Sequence, residues 1–192
     1  MTVLIHFKKQ HLEGFNDELI SLNEKFIKKD FNLDKKLMQL LSSTQEYYRQ
    51  VGESTAEGNV SQLKIHLDLA VSGIDPLSLE RVKTRRRDLL RTACYHCLSS
   101  LSNILEHSLQ TIEGLLLNAS ETINQLLLSA FQSKLITEDL IKKTDTIEKC
   151  TALWSSLKTN EQIALIDKKL KLDILQEDIS ILLDIAFSKL NN

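Results

Sequence analysis

Apolar residues recur at steps of three and four along almost the whole chain, the spacing that puts them on one face of an α-helix. Leu12, Phe15, Leu19, Leu22 and Phe26 form the first stripe and predict a helix over about 9–29. Lys28 and Lys29 then fall in its last turn, where the helix dipole favours cations. Asn32 reads as an N-cap and Asp34 as a first-turn acid for a second helix, striped by Leu33, Leu37, Leu40, Thr44, Tyr47 and Val51 and stopped near Gly52. The stretch 52–59 holds two glycines and predicts a loop; a short helix over about 61–71 follows, with Gly73 as its C-cap.

Asp75-Pro76 marks the clearest boundary, an N-cap followed by a proline at a first helical position. From there the pattern predicts one long helix over about 76–132. Its stripe runs Leu90, Cys94, Cys97, Leu101, Ile104, Ser108, Ile112, Leu115, Ala119, Ile123, Leu126, Ala130, forty residues in eleven steps. That period of about 3.6 matches a straight helix better than the 3.5 of a left-handed coiled coil. Leu105, Leu109, Leu116 and Leu127 widen the apolar face, which favours a multi-helix bundle over a two-stranded seam. Gly114 lies off the stripe and reads as a tolerated exposed glycine or a point of close helix approach. A second long helical region over about 137–190 opens on Thr137-Glu138-Asp139. Ile147, Cys150, Trp154 and Leu157 stripe its first part; Leu172, Leu175, Ile179, Leu182, Ala186 and Leu190 stripe its last. Thr159-Asn160-Glu161-Gln162 has the spacing of a capping box, so the helix kinks or restarts there.

Composition agrees. One proline and five glycines in 192 residues are too few for the corners of a strand-and-turn fold. The expectation is an all-α, elongated bundle of four to six helices, two of them long. It forms a single helical domain over 1–192, with a subdivision into 1–73 and 74–192 as the alternative. No apolar run approaches the ~20 residues of a membrane helix, and neither Leu115-Leu116-Leu117 nor Leu126-Leu127-Leu128 supplies an inserting hairpin. Val3-Leu4-Ile5-His6-Phe7 is too short for a signal peptide, and three cysteines make no disulfide framework. A reducing, cytoplasmic location follows as the expectation. A net charge of −2 gives no global drive toward nucleic acid.

Charge distribution changes the picture more than charge balance does. The chain is 26% charged, yet between Arg91 and Gln132 it carries no lysine or arginine, only Glu106, Glu113 and Glu121. A helix this poor in charge is expected to be covered, by its own chain or by copies of it. Ser99, Ser100, Ser102, Asn103, Gln110, Asn118, Asn124 and Gln125 would then be the polar groups facing partners. Just before it stand six cations in eleven residues: Arg81, Lys83, Arg85, Arg86, Arg87 and Arg91. On a helix these would point all round the axis, with Arg86 on the stripe between Val82 and Leu90. The run reads as a solvated helix end or as a docking site for phosphate or an acidic protein surface. No aromatic residue interleaves it, so single-strand base stacking is not expected.

Candidate chemistry is sparse. Cys94-Tyr95-His96-Cys97 is a C-x-x-C, but no strand precedes it and both cysteines lie on the apolar stripe, so core packing is the first reading. A zinc site at Cys94 and Cys97 would need Cys150 with His107 or His66 as further ligands. Arg91 and His96 form an Arg-x-x-x-x-His pair that resembles the signature of HEPN ribonucleases. The resemblance covers two residues, and Thr92 stands where that family usually has a more polar one. It implies an all-helical fold in which Arg91 and His96 act together on an RNA phosphate, commonly across a dimer interface. On one straight helix the two side chains point about 140° apart. The chain has no Glu-x-x-His, His-Glu-x-x-His, P-loop, Gly-x-Gly-x-x-Gly or Gly-x-Ser-x-Gly. The reading that results is a non-enzymatic helical interaction, adaptor or structural subunit of a larger or homo-oligomeric assembly, without cofactor. Its partner-binding residues are the six cations 81–91. A HEPN-like ribonuclease and a helical membrane-interacting component are the alternatives.

Overall fold

The three- and four-residue steps resolve into eight α-helices and no strand among the described residues, which are 3–30, 32–144 and 146–190 of the computed structural model. In chain order they are α1 (Ile5–Ile27), α2 (Leu33–Val51), α3 (Ser54–Val71), α4 (Arg86–Gln132), α5 (Glu138–Lys143), α6 (Ile147–Leu157), α7 (Glu161–Asp173) and α8 (Gln176–Leu190). The longest is α4, with 47 residues. The chain forms two compact units, one of Gln10–Gln110 and one of Thr2–Lys9 with Thr111–Asn192.

The first unit is built from most of α1, from α2 and α3, and from the start of α4. Its core draws on the predicted stripes, with Leu12, Leu19 and Leu22 from α1, Leu37 and Leu40 from α2, and Cys97 and Leu101 from α4, and adds Leu41, Leu63, Leu67 and Leu98 from outside them. Phe15, Phe26 and Val51 of the stripes are only half-buried. Tyr48 reaches from α2 to α4, its hydroxyl 2.9 Å from Ser108 Oγ. Gly52 closes α2 in the left-handed region (φ 78°), and the Glu53 N–H donates to the Tyr48 carbonyl at 2.9 Å. Asn32, by contrast, makes no side-chain cap bond; its own N–H donates to Asp30 Oδ1.

One buried hydroxyl is left over. Thr44 is fully buried and its Oγ1 has no hydrogen-bond partner. Burying a hydroxyl without a partner costs about 1–3 kcal/mol, and valine has nearly the same shape without that cost. Thr44→Val is therefore expected to stabilise the protein by about 1 kcal/mol, read as a higher urea midpoint at unchanged slope.

The second unit combines the rest of α4 with α5 to α8 and the first turn of α1. Ile112, Ala119, Ile123, Leu126 and Ala130 of α4 are buried, with Trp154 of α6, Ile163 and Leu170 of α7, and Ile179, Leu183 and Phe187 of α8. Two buried carboxylates organise it. Asp178 has no exposure, and its two oxygens accept from the Ile5 and His6 backbone N–H groups at 3.1 Å, from the Leu175 N–H at 3.3 Å and from His6 Nδ1 at 2.7 Å. It thus caps α1 from afar and α8 locally, where it is the third helical residue reaching back to the N-cap N–H. Asp167 Oδ1 accepts from the Trp154 indole at 2.7 Å, and Lys171 Nζ lies 2.7 Å from its other oxygen.

Helix α1 runs Ile5–Ile27 instead of about 9–29, its start capped by the distant Asp178 and Lys28 and Lys29 lying in the turn beyond its end. Three further boundaries differ from the sequence expectation, each for a local reason. The helix expected from 76 begins at Arg86, and 76–85 is a loop. Leu77 and Leu79 are two residues apart and cannot share a helical face, while Leu79 and Arg85 take left-handed backbone (φ 59° and 58°). Asp75 caps a turn there instead of a helix, its Oδ1 accepting the Leu77 N–H at 2.9 Å. The region expected as one helix over 137–190 is four helices, which brings the total to eight instead of four to six. Thr146 and Asn160 cap new starts, Asn160 rather than Thr159 accepting from Gln162 and Ile163, and Asp178 caps the last. Leu172 is consequently exposed rather than part of the stripe; the Leu190 side chain lies outside the described residues. Finally, α3 starts at Ser54, so most of the loop expected at 52–59 is helical, with Gly58 in open space on its exposed side.

Candidate interaction surface at the start of the long helix

The six cations 81–91 divide between two kinds of backbone. Arg81, Lys83 and Arg85 lie in the loop, and Arg86, Arg87 and Arg91 lie in the first two turns of α4; all six are exposed. The loop is ordered by its own hydrogen bonds. Ile74 and Arg81 form an isolated antiparallel bridge, the Asp75 N–H donates to the Glu80 carbonyl at 2.9 Å, and the Val82 N–H to the Gly73 carbonyl at 2.9 Å. Gly73 (φ 77°) ends α3 and lets Arg86 pass close by: a β-carbon there would stand 3.1 Å from Arg86 Nε. Arg86 therefore lies along the loop, its Nε donating to the Val82 carbonyl at 3.4 Å, rather than on a packed stripe.

Arg91 and His96 face different neighbours. The Arg91 guanidinium sits 5.3 Å from the centroid of the Phe26 ring of α1, and Phe26 is 6.0 Å from the ring of Tyr95. His96 lies on another side of α4, 5.9 Å from the ring of His66 on α3 and 3.5 Å from Ser100 Oγ. Within one chain they do not converge on a common point. Beside Arg91, a groove of about 360 Å³ is lined by Phe26, Lys29, Asp30, Asp34, Arg87 and Asp88 among others, with both signs of charge on its walls.

Cys94 and Cys97 are buried, and the Cys97 thiol lies 3.4 Å from the Leu63 carbonyl. Burial pushes Cys94 up to about 11, helped by the Asp34 carboxylate, and pushes Cys97 up to about 12, helped by Cys94. Neither is a thiolate near neutrality, which is what nucleophilic or redox chemistry needs. Among the described residues no group of three or more His, Cys, Asp or Glu side chains gathers to hold a metal ion. In the folded protein, alkylation of Cys94 and Cys97 at pH 8 is expected to run at least about a hundredfold slower than in urea, counted by mass spectrometry. Rapid labelling of either in the native state would contradict this environment.

Three features of the surface escape the sequence reading. The aromatic partner of Arg91, Phe26, comes from a distant helix, and the ring beside it, Tyr95, from beyond the run's end. His66 meets His96 only through tertiary packing. Leu77 and Leu79 read as ordinary helix positions but project from the loop at 91% and 69% exposure. A signal for that pair does exist: a proline followed by two leucines at a spacing no single helix face accommodates. No family model, no curated protein and no solved structure matches this chain.

Proposed function

We propose that this chain is a non-enzymatic helical subunit whose second unit packs against another copy of itself through the outer side of α4. The observation that supports the reading is a largely apolar groove of about 600 Å³ lined by Leu127, Leu128 and Phe131 of α4, Ile136 after it, Ile141 of α5 and Phe187 of α8, with one charge of each sign, Glu138 and Lys189, beside them. Leu117 and Leu128 are each 59% exposed on this half of the helix, and Phe131 is 41% exposed. Over 111–132 the helix offers only Glu113 and Glu121 as charges, with Asn118, Asn124 and Gln125 exposed between its apolar groups. Grouped apolar exposure with a sparsely charged rim is typical of a surface that another protein covers. A second copy is the occupant whose matching apolar face is already in hand, and a two-fold arrangement makes such a patch self-complementary.

Light scattering behind a sizing column tests it. The intact chain is expected to run above its 21.9 kDa monomer mass at micromolar concentration. Leu128→Glu with Phe131→Glu is expected to return it to that mass with unchanged helicity. A parent chain that is already monomeric at these concentrations would sink the reading.

A further inference from the structure

The loop that replaces the expected start of the long helix combines two properties seldom found together on an exposed turn. Its tip is apolar and presented outward. Leu77 and Leu79 are 91% and 69% exposed, and Val71, at the end of α3 just before the loop, is 52% exposed. The tip is held in place by backbone bonds: the Leu79 N–H donates to the Asp75 carbonyl at 2.8 Å, and the Ile74–Arg81 bridge closes its base. Leu79 takes a left-handed backbone that leucine adopts only against steric resistance, so this local fold displays the side chain at the expense of stability. Behind the tip the charge is strongly basic. Residues 74–91 carry six cations against Asp75, Glu80 and Asp88, a local charge of +3 in a chain of −2. Arg81, Lys83 and Arg85 are exposed and have no ion-pair partner among the described residues.

We propose that this hairpin and the cations behind it are a docking surface for an anionic lipid bilayer. Leu77 and Leu79 enter the boundary between headgroups and acyl chains, while Arg81, Lys83 and Arg85 lie at the level of the lipid phosphates. Each half of the device explains what the other leaves open. A ligand that offered phosphate alone would gain nothing from two ordered, exposed leucines. Single-stranded nucleic acid would look for aromatic stacking platforms, and the loop has none. A neutral apolar surface would gain nothing from the cations. An anionic bilayer offers both chemistries in layers, apolar interior beneath and negative charge above. Among the described residues no helix is long and apolar enough to cross a membrane, so the attachment is peripheral and reversible. The proposal is independent of the self-association read from α4 and α8, since it uses other residues, and mutations at one surface leave the other intact.

Flotation of the intact chain with phosphatidylcholine vesicles, with and without phosphatidylserine, tests it. The chain is expected to float with the serine-containing vesicles at low ionic strength, to stay behind with pure phosphatidylcholine, and to be released by added salt. Leu77→Ser with Leu79→Ser is expected to lower the partition at least about tenfold, and Arg81→Gln with Lys83→Gln and Arg85→Gln to lower it roughly fivefold per cation. All five side chains are exposed, so both variants are expected to keep the parent's helicity and melting curve. Should either lose its fold, Leu77→Trp supplies a separate readout: its emission moves to shorter wavelength with anionic vesicles, against the constant background of buried Trp154. A parent chain that never floats overturns the proposal, as does a Leu77→Trp variant whose emission the vesicles leave unmoved. So does a leucine variant that floats as well as the parent. If heparin or RNA binds the parent and the leucine variant equally while vesicles bind neither, the cations read polyanions and the bilayer assignment is wrong.

Discussion

Replacing Asp178 with alanine is expected to cost about 3–5 kcal/mol, the largest loss from any single carboxylate in this protein. Its two oxygens are fully buried and accept from three backbone N–H groups and from His6 Nδ1. Alanine leaves those donors without an acceptor, and each orphaned buried donor costs about 1–3 kcal/mol. Asp178→Asn is expected to recover little. The amide keeps the size of the side chain but turns an NH₂ group toward N–H donors, so at least one oxygen's worth of bonding becomes a donor–donor clash. Urea denaturation measures the loss, and hydrogen exchange locates it: the amides of Ile5, His6 and α8 are expected to lose protection first. An Asp178→Ala protein within about 1 kcal/mol of the parent would contradict the cap described here.

Trp154→Ala is expected to have a comparable effect, about 3–5 kcal/mol, for a different reason. Trp154 is among the largest fully buried side chains, so its removal opens a cavity in the second unit as well as freeing Asp167 Oδ1 from the indole. Trp154→Phe separates the two contributions, because it keeps an apolar ring and deletes the N–H; about 1–2 kcal/mol is expected for that step. Asp167 adds a pH dependence. Burial alone would raise its carboxyl, but hydrogen bonds from Lys171 and Trp154 and the nearby charge of Lys158 outweigh burial and hold it below the usual carboxylate range. The folded protein thus binds this proton less readily than the unfolded chain. The stabilisation is complete above the ordinary carboxylate value of about 4 and fades as pH falls through the depressed folded value. The parent is expected to lose urea midpoint on going from neutral pH to about pH 3, and Asp167→Asn to lose less over the same range. Equal acid sensitivity in the two proteins would show that other carboxylates carry it.

How much of this is legible in the residues depends on the range of the interaction. The α4 stripe read from Cys94 to Ala130 is largely the buried one, because a 3.6-residue period is a property of the helix itself. The end of α4 near Gln132 and the stop of α2 at Gly52 are local too. The breaks inside 137–190 are half legible. Asn160 lies inside the expected capping box, one residue beyond the threonine favoured there. The break at Ile174–Leu175 has no glycine or proline to announce it, and depends on a carboxylate three residues on. The start of α1 at Ile5 is out of reach, since its cap comes from Asp178. The same holds for the basic run. Its cations are evident, but treating 76–132 as one helix arranges them around an axis, whereas a loop with an apolar tip holds half of them. Only the spacing of Leu77 and Leu79 objects to that helix.

The Asp178 cap also sets an order of events at the ribosome. Ile5 and Asp178 are 173 residues apart. At the usual ~5–20 residues per second, Ile5 and His6 are made on the order of ten to thirty seconds before the carboxylate that receives their N–H groups. Residues 10–110 form one of the two compact units and are all made well before Asp178. The first turn of α1 has to wait until nearly the whole of the second unit has emerged. Closing so long a loop is slow as well as late, because the contact joins residues 173 apart. The second unit is therefore open to misassociation until Asp178 has been made, long after the first turn of α1 that it completes.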